Sequence, residues 1–182
     1  MSKRMAIVLG ALVLGGGAIP ASAAVFLTLE EALSLAFPGC AAERRMLYLD
    51  EAQRQQVARA ASKEVQAGIV DAYDGRCATG YAGTAFLDTH VVRTKTETVM
   101  VVVDPAGRIG RVEVLTFNEP EEYKPKQLWY DVFRGKAPAA AESNFDREIP
   151  NVTGATLTAG ATRTAVRTAL ALRAMFPAKV QP

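Results

Sequence analysis

The sequence is poor in the residues that most often hold metals or haem. Its 182 residues include two cysteines, Cys40 and Cys77, and a single histidine, His90. Zinc sites are built from clusters of cysteine and histidine, and covalent haem attachment needs a Cys-x-x-Cys-His motif, which the chain lacks. The composition therefore excludes covalent haem on pattern and argues against a transition-metal site.

A charge excess of one sign is also missing. The whole chain has 21 basic and 19 acidic residues. Two of the basic residues, Lys3 and Arg4, lie in the first 23 positions, so the rest of the chain has 19 of each. Nucleic acids and anionic membrane surfaces attract strongly basic proteins. We therefore expect no nucleic-acid partner.

The longest apolar run is shorter than the roughly 20 residues that a membrane-spanning helix needs. Residues 5–19 are apolar and uncharged, Pro20 ends the run, and small residues follow up to Ala23. This layout predicts a secretory signal peptide over residues 1–23, cleaved after Ala23. Residues 24–27 are apolar too, so an uncleaved membrane anchor is the alternative. Both readings predict a periplasmic or otherwise extracytoplasmic protein.

The remaining part, residues 24–182, has the size of one domain. In an oxidising compartment its two cysteines can form a disulfide, although sequence alone does not show that Cys40 and Cys77 approach within bonding distance.

Helical signals come first in this domain. Apolar residues recur at helical spacing over residues 29–37, which Pro38 ends, and Asp50 has the character of an N-cap for a helix over residues 51–62. A last helix is expected over residues 159–175.

Sheet signals lie in the middle. Residues 83–94, 98–103 and 108–115 are rich in β-branched residues or alternate apolar with polar ones. Residues 104–107, Asp-Pro-Ala-Gly, predict a hairpin turn between the last two. Residues 119–150 are expected to be mostly surface loop around a short element over residues 127–133. The fold class predicted is α+β, an antiparallel sheet packed with helices.

The chemically suggestive segment is residues 153–158, Thr-Gly-Ala-Thr-Leu-Thr, at the entrance to the last helix. Unpaired backbone N–H groups and the positive end of the helix dipole favour a phosphate there. A hydroxyl among those donors could also be esterified to a phosphate. The alternative is that Thr156 or Thr158 only caps the helix.

This segment resembles the flavinylation motif of FMN-binding domains, Ser/Thr-Gly-Ala-Thr followed by another Ser or Thr. The family includes the FMN-carrying subunits of the Rnf complex and of the sodium-translocating NADH:quinone reductase, and the chain is most similar to its small single-domain exported members, with an N-terminal helical extension. The resemblance implies FMN joined covalently by a phosphoester to Thr156. It also implies a magnesium-dependent FMN transferase as a transient partner. The neighbouring motif positions are Thr153, Gly154, Ala155, Leu157 and Thr158.

Two further stretches are similar to the same family in order and spacing. Residues 112–123 are similar to its strand and Glu-Thr-Pro-Gly-like loop, and residues 129–136 to its Trp…Phe-x-Gly-Lys segment. Two departures stand out. Pro150 replaces an aspartate that often lies six residues before the modified threonine, and residues 119–122, Glu-Pro-Glu-Glu, lack the threonine and glycine of the loop.

Three other residues are candidates for contact with the flavin. Glu119 could hydrogen-bond the cofactor or be a surface charge. His90 lies in a predicted strand and points either into the core or towards a flavin edge. Trp129 could stack on the ring or pack at the edge of the core.

Taken together, these features predict an electron-transfer flavoprotein rather than an independent enzyme. The expected partners are a membrane redox complex or an exported cytochrome. Two alternatives stay open: an extracytoplasmic FMN-dependent reductase of a small substrate, and a flavin-free structural or interaction domain.

Overall fold

The computed structural model describes residues 24–64, 68–137 and 148–178. The predicted signal peptide and part of the loop before residue 150 lie outside these ranges. The described chain forms one antiparallel sheet with helices on its faces, so the predicted α+β class is confirmed. No helix within the described ranges is long and apolar enough to cross a membrane.

Six strands form the sheet in the order β1-β6-β5-β4-β3-β2. Strands β2 to β6 therefore follow one another as a meander, and β1 joins the outer edge of β6. The strands are β1 (Ala24–Val25), β2 (Ala41–Tyr48), β3 (Ile69–Cys77), β4 (Gly80–Val91), β5 (Thr96–Val103) and β6 (Ile109–Phe117).

Four α-helices accompany the sheet. They are α1 (Leu29–Ala36), α2 (Glu51–Ala61), α3 (Gln127–Tyr130) and α4 (Thr156–Met175). Two single 3₁₀ turns, Glu121–Tyr123 and Asp131–Phe133, flank α3.

The first two helices begin at reciprocal caps. The Thr28 side chain accepts from the Glu31 amide while Glu31 accepts from the Thr28 amide, and Asp50 and Gln53 repeat the arrangement at α2. Each capping box satisfies two N–H groups that have no partner inside the helix. Both predicted helices are confirmed, and so is Asp50 as an N-cap.

The predicted hairpin between β5 and β6 is also confirmed. The Gly107 amide donates to the Asp104 carbonyl at 3.0 Å, and the Arg108 amide donates to the Asp104 carboxylate at 2.9 Å. Gly107 has φ +78°, which glycine adopts without steric cost. The turn therefore fixes the register of the two central strands.

Strands β2 and β3 were not predicted. The sequence analysis expected only helices before residue 83, and this expectation is wrong at these two strands. Strand β2 lies at the sheet edge, and six of its eight residues are exposed. An exposed edge strand lacks the buried alternation that marks a strand in a sequence. Its partner β3 carries two aspartates and a glycine within nine residues. A disulfide between Cys40 and Cys77, with the Cα atoms 4.4 Å apart, closes the pair at one end.

The two faces of the sheet carry separate apolar cores. On one face, α2 and α4 pack over Phe86, Val99 and Val101, and the short elements near α3 add to the same core. On the other face, Phe37 at the end of α1 packs with Met100 and neighbouring residues. The larger core thus packs α4 against strands β4, β5 and β6.

Candidate functional site

The segment before α4 is a tight turn. The Ala155 amide donates to the Val152 carbonyl at 3.0 Å, and Gly154 in the turn has φ +84°. A side chain at Gly154 would meet no atom within 4 Å, so only the backbone conformation demands glycine there. The turn delivers the chain into α4 at Thr156, three residues before the predicted start.

The three threonine hydroxyls of the motif have different surroundings. Thr158 is fully buried, and its hydroxyl donates to the Tyr123 carbonyl at 2.5 Å. Thr156 is exposed, and its hydroxyl donates to the Val152 carbonyl over a long 3.3 Å. Thr153 is exposed and lies outside the helix. Of the two helical hydroxyls, only that of Thr156 is accessible to a modifying enzyme.

The capping alternative for these threonines is wrong. The N-cap of α4 is Ala155, which has no side-chain acceptor, and the helix starts without a side-chain cap. A capping hydroxyl must accept from an amide two or three residues ahead, whereas both threonines donate to carbonyls. The first-turn amides are therefore left to water or to a ligand.

The electrostatics of this helix end favour an anion. Helix α4 has 20 residues, and its first turn contains no acidic residue. The aligned peptide dipoles place partial positive charge at that end. Leu157 beside Thr156 is 55% exposed, so the surface around the hydroxyl is also partly apolar. A phosphate with an attached ring matches this combination of charge and apolar surface.

A loop lies against the same helix end. Through the hydrogen bond from Thr158, the 3₁₀ turn Glu121–Tyr123 is fixed to the first turn of α4. The guanidinium of Arg93 lies 4.6 Å from the centre of the Tyr123 ring. A cavity of about 600 Å³ opens beside this loop. Its lining includes Glu113, Glu121, Glu122, Lys124, Lys126 and Tyr130.

Glu119 anchors the start of that loop. Its Oε1 accepts backbone N–H groups from Thr94 at 2.6 Å, Lys95 at 2.8 Å and Arg93 at 3.2 Å. These hydrogen bonds, above all those from Thr94 and Lys95, lower the pKa of the Glu119 carboxyl. Glu119 is thus a nearly buried structural carboxylate, and its predicted contact with the cofactor stays a prediction.

Trp129 ties α3 to the segment that leads into the motif. Its indole N–H donates to the Pro150 carbonyl at 2.7 Å. Its ring meets those of Tyr130 and Phe133 edge to face, each at 5.2 Å between centroids. All three rings are buried, and the short element predicted over residues 127–133 is confirmed as α3 and the 3₁₀ turn that follows it. The proposed stacking of Trp129 on a flavin stays a prediction.

His90 lies between two carboxylates in the larger core. Its Nδ1 is 2.6 Å from Asp88 Oδ1, and its Nε2 is 2.9 Å from Glu97 Oε2. Burial lowers the pKa of His90, but the hydrogen bonds and charges of Asp88 and Glu97 outweigh it and raise that pKa to about 9. Of the two places predicted for His90, the structure assigns it to the core.

The sequence-based reading missed the partners of His90. Asp88 and His90 are two residues apart in β4 and so share a face, and Glu97 is the direct partner of His90 across the pair β4–β5. The Asp-x-His alternation of residues 88–90 was visible in the sequence. The pairing with Glu97 required the register of the hairpin that the Val92–Lys95 hydrogen bond closes.

Two lysines in the stretch between β6 and α4 have charged or aromatic partners. Lys136 pairs with Glu148 at 2.5 Å, and the Lys124 ammonium lies 3.7 Å from the centre of the Phe26 ring and 3.9 Å from Glu121. Of the two, only Lys124 lines the cavity beside the candidate site.

The fold is an α+β domain in which a long helix starts at an exposed threonine beside amides that no side chain caps. Residues 94–171 match the family model of the FMN-binding domain. The match supports the assignment of this segment to the FMN-binding domain family, as the sequence predicted, and with it FMN as the cofactor. No curated protein and no solved structure matches the chain.

The matched segment includes β6, the loop at Glu121–Tyr123, α3, the motif and most of α4. The residues present fit the cofactor. Uncapped amides at the start of α4 suit its phosphate. The cavity of about 600 Å³ beside the neighbouring loop has a volume in the range of small-molecule sites, but none of residues 153–158 lines it.

Proposed function

We propose that the protein is an extracytoplasmic electron-transfer flavoprotein that holds FMN through a phosphoester to the Thr156 hydroxyl. The observation that carries the proposal is the contrast between two hydroxyls on one helix turn. Thr156 is exposed and weakly bonded, whereas Thr158 is buried and committed to the Tyr123 carbonyl.

The attachment step needs little from this chain beyond position. The Thr156 oxygen would form a bond to the phosphorus of the FMN group as the phosphoanhydride bond of the flavin donor breaks, and the nucleoside monophosphate that leaves would take up the hydroxyl proton. The protein gains FMN minus water. Amides at the start of α4 stabilise the phosphate charge, while a magnesium-dependent FMN transferase supplies the flavin donor and the metal.

FMN, once bound, accepts and donates electrons singly or in pairs. The chain contributes a fixed anchor, a cavity and the loop at Glu121–Tyr123 that Thr158 holds against α4. A covalent anchor prevents loss of the cofactor outside the cytoplasm. The proposed electron partners are a membrane redox complex or an exported cytochrome.

Export is proposed on the layout of residues 1–23. Ala24, the first residue after the proposed cleavage, pairs with Phe117 in the sheet, so cleavage would leave β1 complete. N-terminal sequencing of the exported protein should start at Ala24. A chain that starts earlier and sediments with membranes would support the anchor alternative instead.

The covalent bond is tested by intact mass after co-expression with the transferase. The wild type should gain FMN minus water, and Thr156→Ala should remain unmodified. Thr164→Ala is the matched control, because Thr164 lies two turns further along α4 with its hydroxyl bonded to the Gly160 carbonyl. An unmodified wild type beside an active transferase would refute the attachment.

Electron transfer is tested separately on the flavin-loaded protein. A reduced exported cytochrome or membrane redox complex should bleach the flavin absorbance within milliseconds to seconds of mixing. Turnover of a small organic substrate, with no exchange with redox proteins, would favour the reductase alternative.

A further inference from the structure

The last helix and the segment that leads into it contain no acidic residue. All 19 acidic residues of the chain lie before position 149, whereas α4 carries three arginines, Arg163, Arg167 and Arg173. Positive charge in α4 is therefore not balanced within the helix itself. An anion at the start of α4 meets no like charge from this part of the chain.

Arg163 lies on the face of α4 that Thr156 occupies. Seven residues separate the two, which is almost two full turns of an α-helix. Thr158 is turned by about 200° from Thr156 at 100° per residue, and it meets the Tyr123 loop on the other side of the helix. Long side chains on a helix lean towards its N-terminus, so the Arg163 side chain runs back towards Thr156.

Two hydrogen bonds hold the guanidinium near the turn before α4. Arg163 Nε donates to the Ala159 carbonyl at 3.2 Å, and Nη2 donates to Asn151 Oδ1 at 2.7 Å. The Thr156 hydroxyl donates to the carbonyl of Val152, the residue after Asn151. The guanidinium and the Thr156 oxygen are thus hydrogen-bonded to two consecutive residues of the same turn.

The guanidinium keeps much of its capacity to donate. Arginine has five N–H donors, and the two hydrogen bonds to Ala159 and Asn151 leave three. In the part of the chain that the structure describes, Arg163 has no carboxylate partner. A planar guanidinium with spare donors and an unbalanced charge is well suited to a phosphate.

The surface between Thr156 and Arg163 is open. Gly160 lies on the same face, one turn after Thr156. Glycine in a helix interior is destabilising, and no atom lies within 4 Å of the place that a Cβ would take there. Packing within the described protein therefore does not explain this glycine, and a ligand can approach the helix backbone at this point.

We propose that Arg163 binds the phosphate of the FMN attached to Thr156, and that Asn151 orients its guanidinium. The inference rests on the proposed function, since it needs the phosphate at Thr156. Arg163 is a positioning residue that donates N–H groups to phosphate oxygens and makes no covalent bond. During attachment its charge stabilises the negative charge on the oxygens of the transferred group. Afterwards it holds the phosphodiester against α4.

The first test measures the rate of attachment. Unmodified protein is mixed with the transferase, magnesium and flavin adenine dinucleotide, and intact mass is followed over time. Arg163→Gln should slow attachment about 10-fold, the scale of one hydrogen bond to a charged group. The matched control is Arg173→Gln, which removes the same charge from the same helix about 15 Å further along its axis and should leave the rate unchanged.

Asn151→Ala separates phosphate binding from a purely structural role of Arg163. This variant breaks the same hydrogen bond but leaves the guanidinium in place, so attachment should stay close to the wild-type rate. Arg163→Lys, which keeps the charge without the planar fork, should fall between wild type and Arg163→Gln. If Asn151→Ala is as slow as Arg163→Gln, Arg163 only holds the turn and the proposal is overturned.

The second test observes the phosphate directly. In the flavin-loaded protein, the ³¹P resonance of the phosphodiester should move in Arg163→Gln and stay in place in Arg173→Gln. An unmoved resonance in Arg163→Gln would exclude the contact. If the wild type gains no flavin mass, the proposed function fails and this inference with it. If the wild type is loaded and both glutamine variants load equally fast, only the role of Arg163 is refuted.

Discussion

The buried His90 makes a quantitative prediction about stability and pH. Its pKa is raised from 6.5 to about 9 in the folded protein. A raised pKa means that the folded state holds the proton more tightly than the unfolded state. The resulting stabilisation is fully present below pH 6.5 and is lost as the pH rises through 9.

The magnitude follows from the same two values. One unit of pKa corresponds to about 1.4 kcal/mol, so the difference between 6.5 and about 9 amounts to about 3 kcal/mol. His90 is only 5% exposed, so solvent screens its partners little. This is a large share of the 5–15 kcal/mol or so that holds a domain folded.

The perturbation is the double substitution His90→Gln and Glu97→Gln. It removes the titrating ring and its buried partner together, because a buried carboxylate left without its partner would itself destabilise the fold. The double variant should lack the pH dependence between 6 and 9.5, and the difference in unfolding free energy from the wild type should shrink by about 3 kcal/mol across that range.

Urea unfolding provides the assay. Trp129 is the only tryptophan and is buried, so its fluorescence reports the transition. The curves are recorded under oxidising conditions at several pH values. The difference in unfolding free energy between the wild type and the double variant should fall with rising pH. If it stays constant or grows, His90 does not hold the extra proton.

Three further predictions concern the frame around the site. Reduction of the Cys40–Cys77 disulfide, which spans 37 residues, should lower the unfolding free energy by about 4 kcal/mol on chain-entropy grounds, as measured by calorimetry. Gly154→Ala should destabilise by about 1–2 kcal/mol, because an alanine at φ +84° is strained, and it should slow FMN attachment. Trp129→Phe should cost about 1 kcal/mol for the hydrogen bond that it loses to the Pro150 carbonyl, plus the smaller packing of the ring in the core, with faster hydrogen exchange in the turn before α4.

The first two of these predictions have a control within the chain. The unfolding free energy of the double variant Cys40→Ser, Cys77→Ser should not change when reductant is added. If it does change, the loss seen in the wild type does not come from this disulfide. Gly160→Ala, in α4 with open space around it, should be neutral or stabilise by up to about 1 kcal/mol. Equal losses for both glycine variants would contradict the backbone argument at Gly154. Unchanged exchange in Trp129→Phe would show that its hydrogen bond does not hold the turn.

The elements that were predicted well depend on near neighbours in the chain. The caps of α1 and α2 form between residues three apart, and the β5–β6 turn closes within four residues. Such signals are readable because the interacting groups are adjacent in sequence. The family motif was readable for the same reason, because its six residues are contiguous in the sequence.

The elements that were missed depend on distant partners. Strand β2 has mostly exposed residues and exists because β3 pairs with it over eight positions. The start of α4 was placed three residues late, since the pattern of apolar residues begins only at Ala159. Tertiary pairing overrides weak local preference in both places.

By itself the sequence determined the α+β class, the first two helices, the central hairpin, the family and Thr156 as the candidate attachment residue. It left open whether a threonine capped the helix, and whether His90 lay in the core. Only the tertiary structure decided these points. The Thr158 hydroxyl donates to the carbonyl of Tyr123, 35 residues earlier, and so does not cap the helix. The register of β4 and β5 places Glu97 directly opposite His90. The physical reason is the same in both cases: a hydrogen bond between residues distant in sequence exists only after the chain has folded and its water has been displaced.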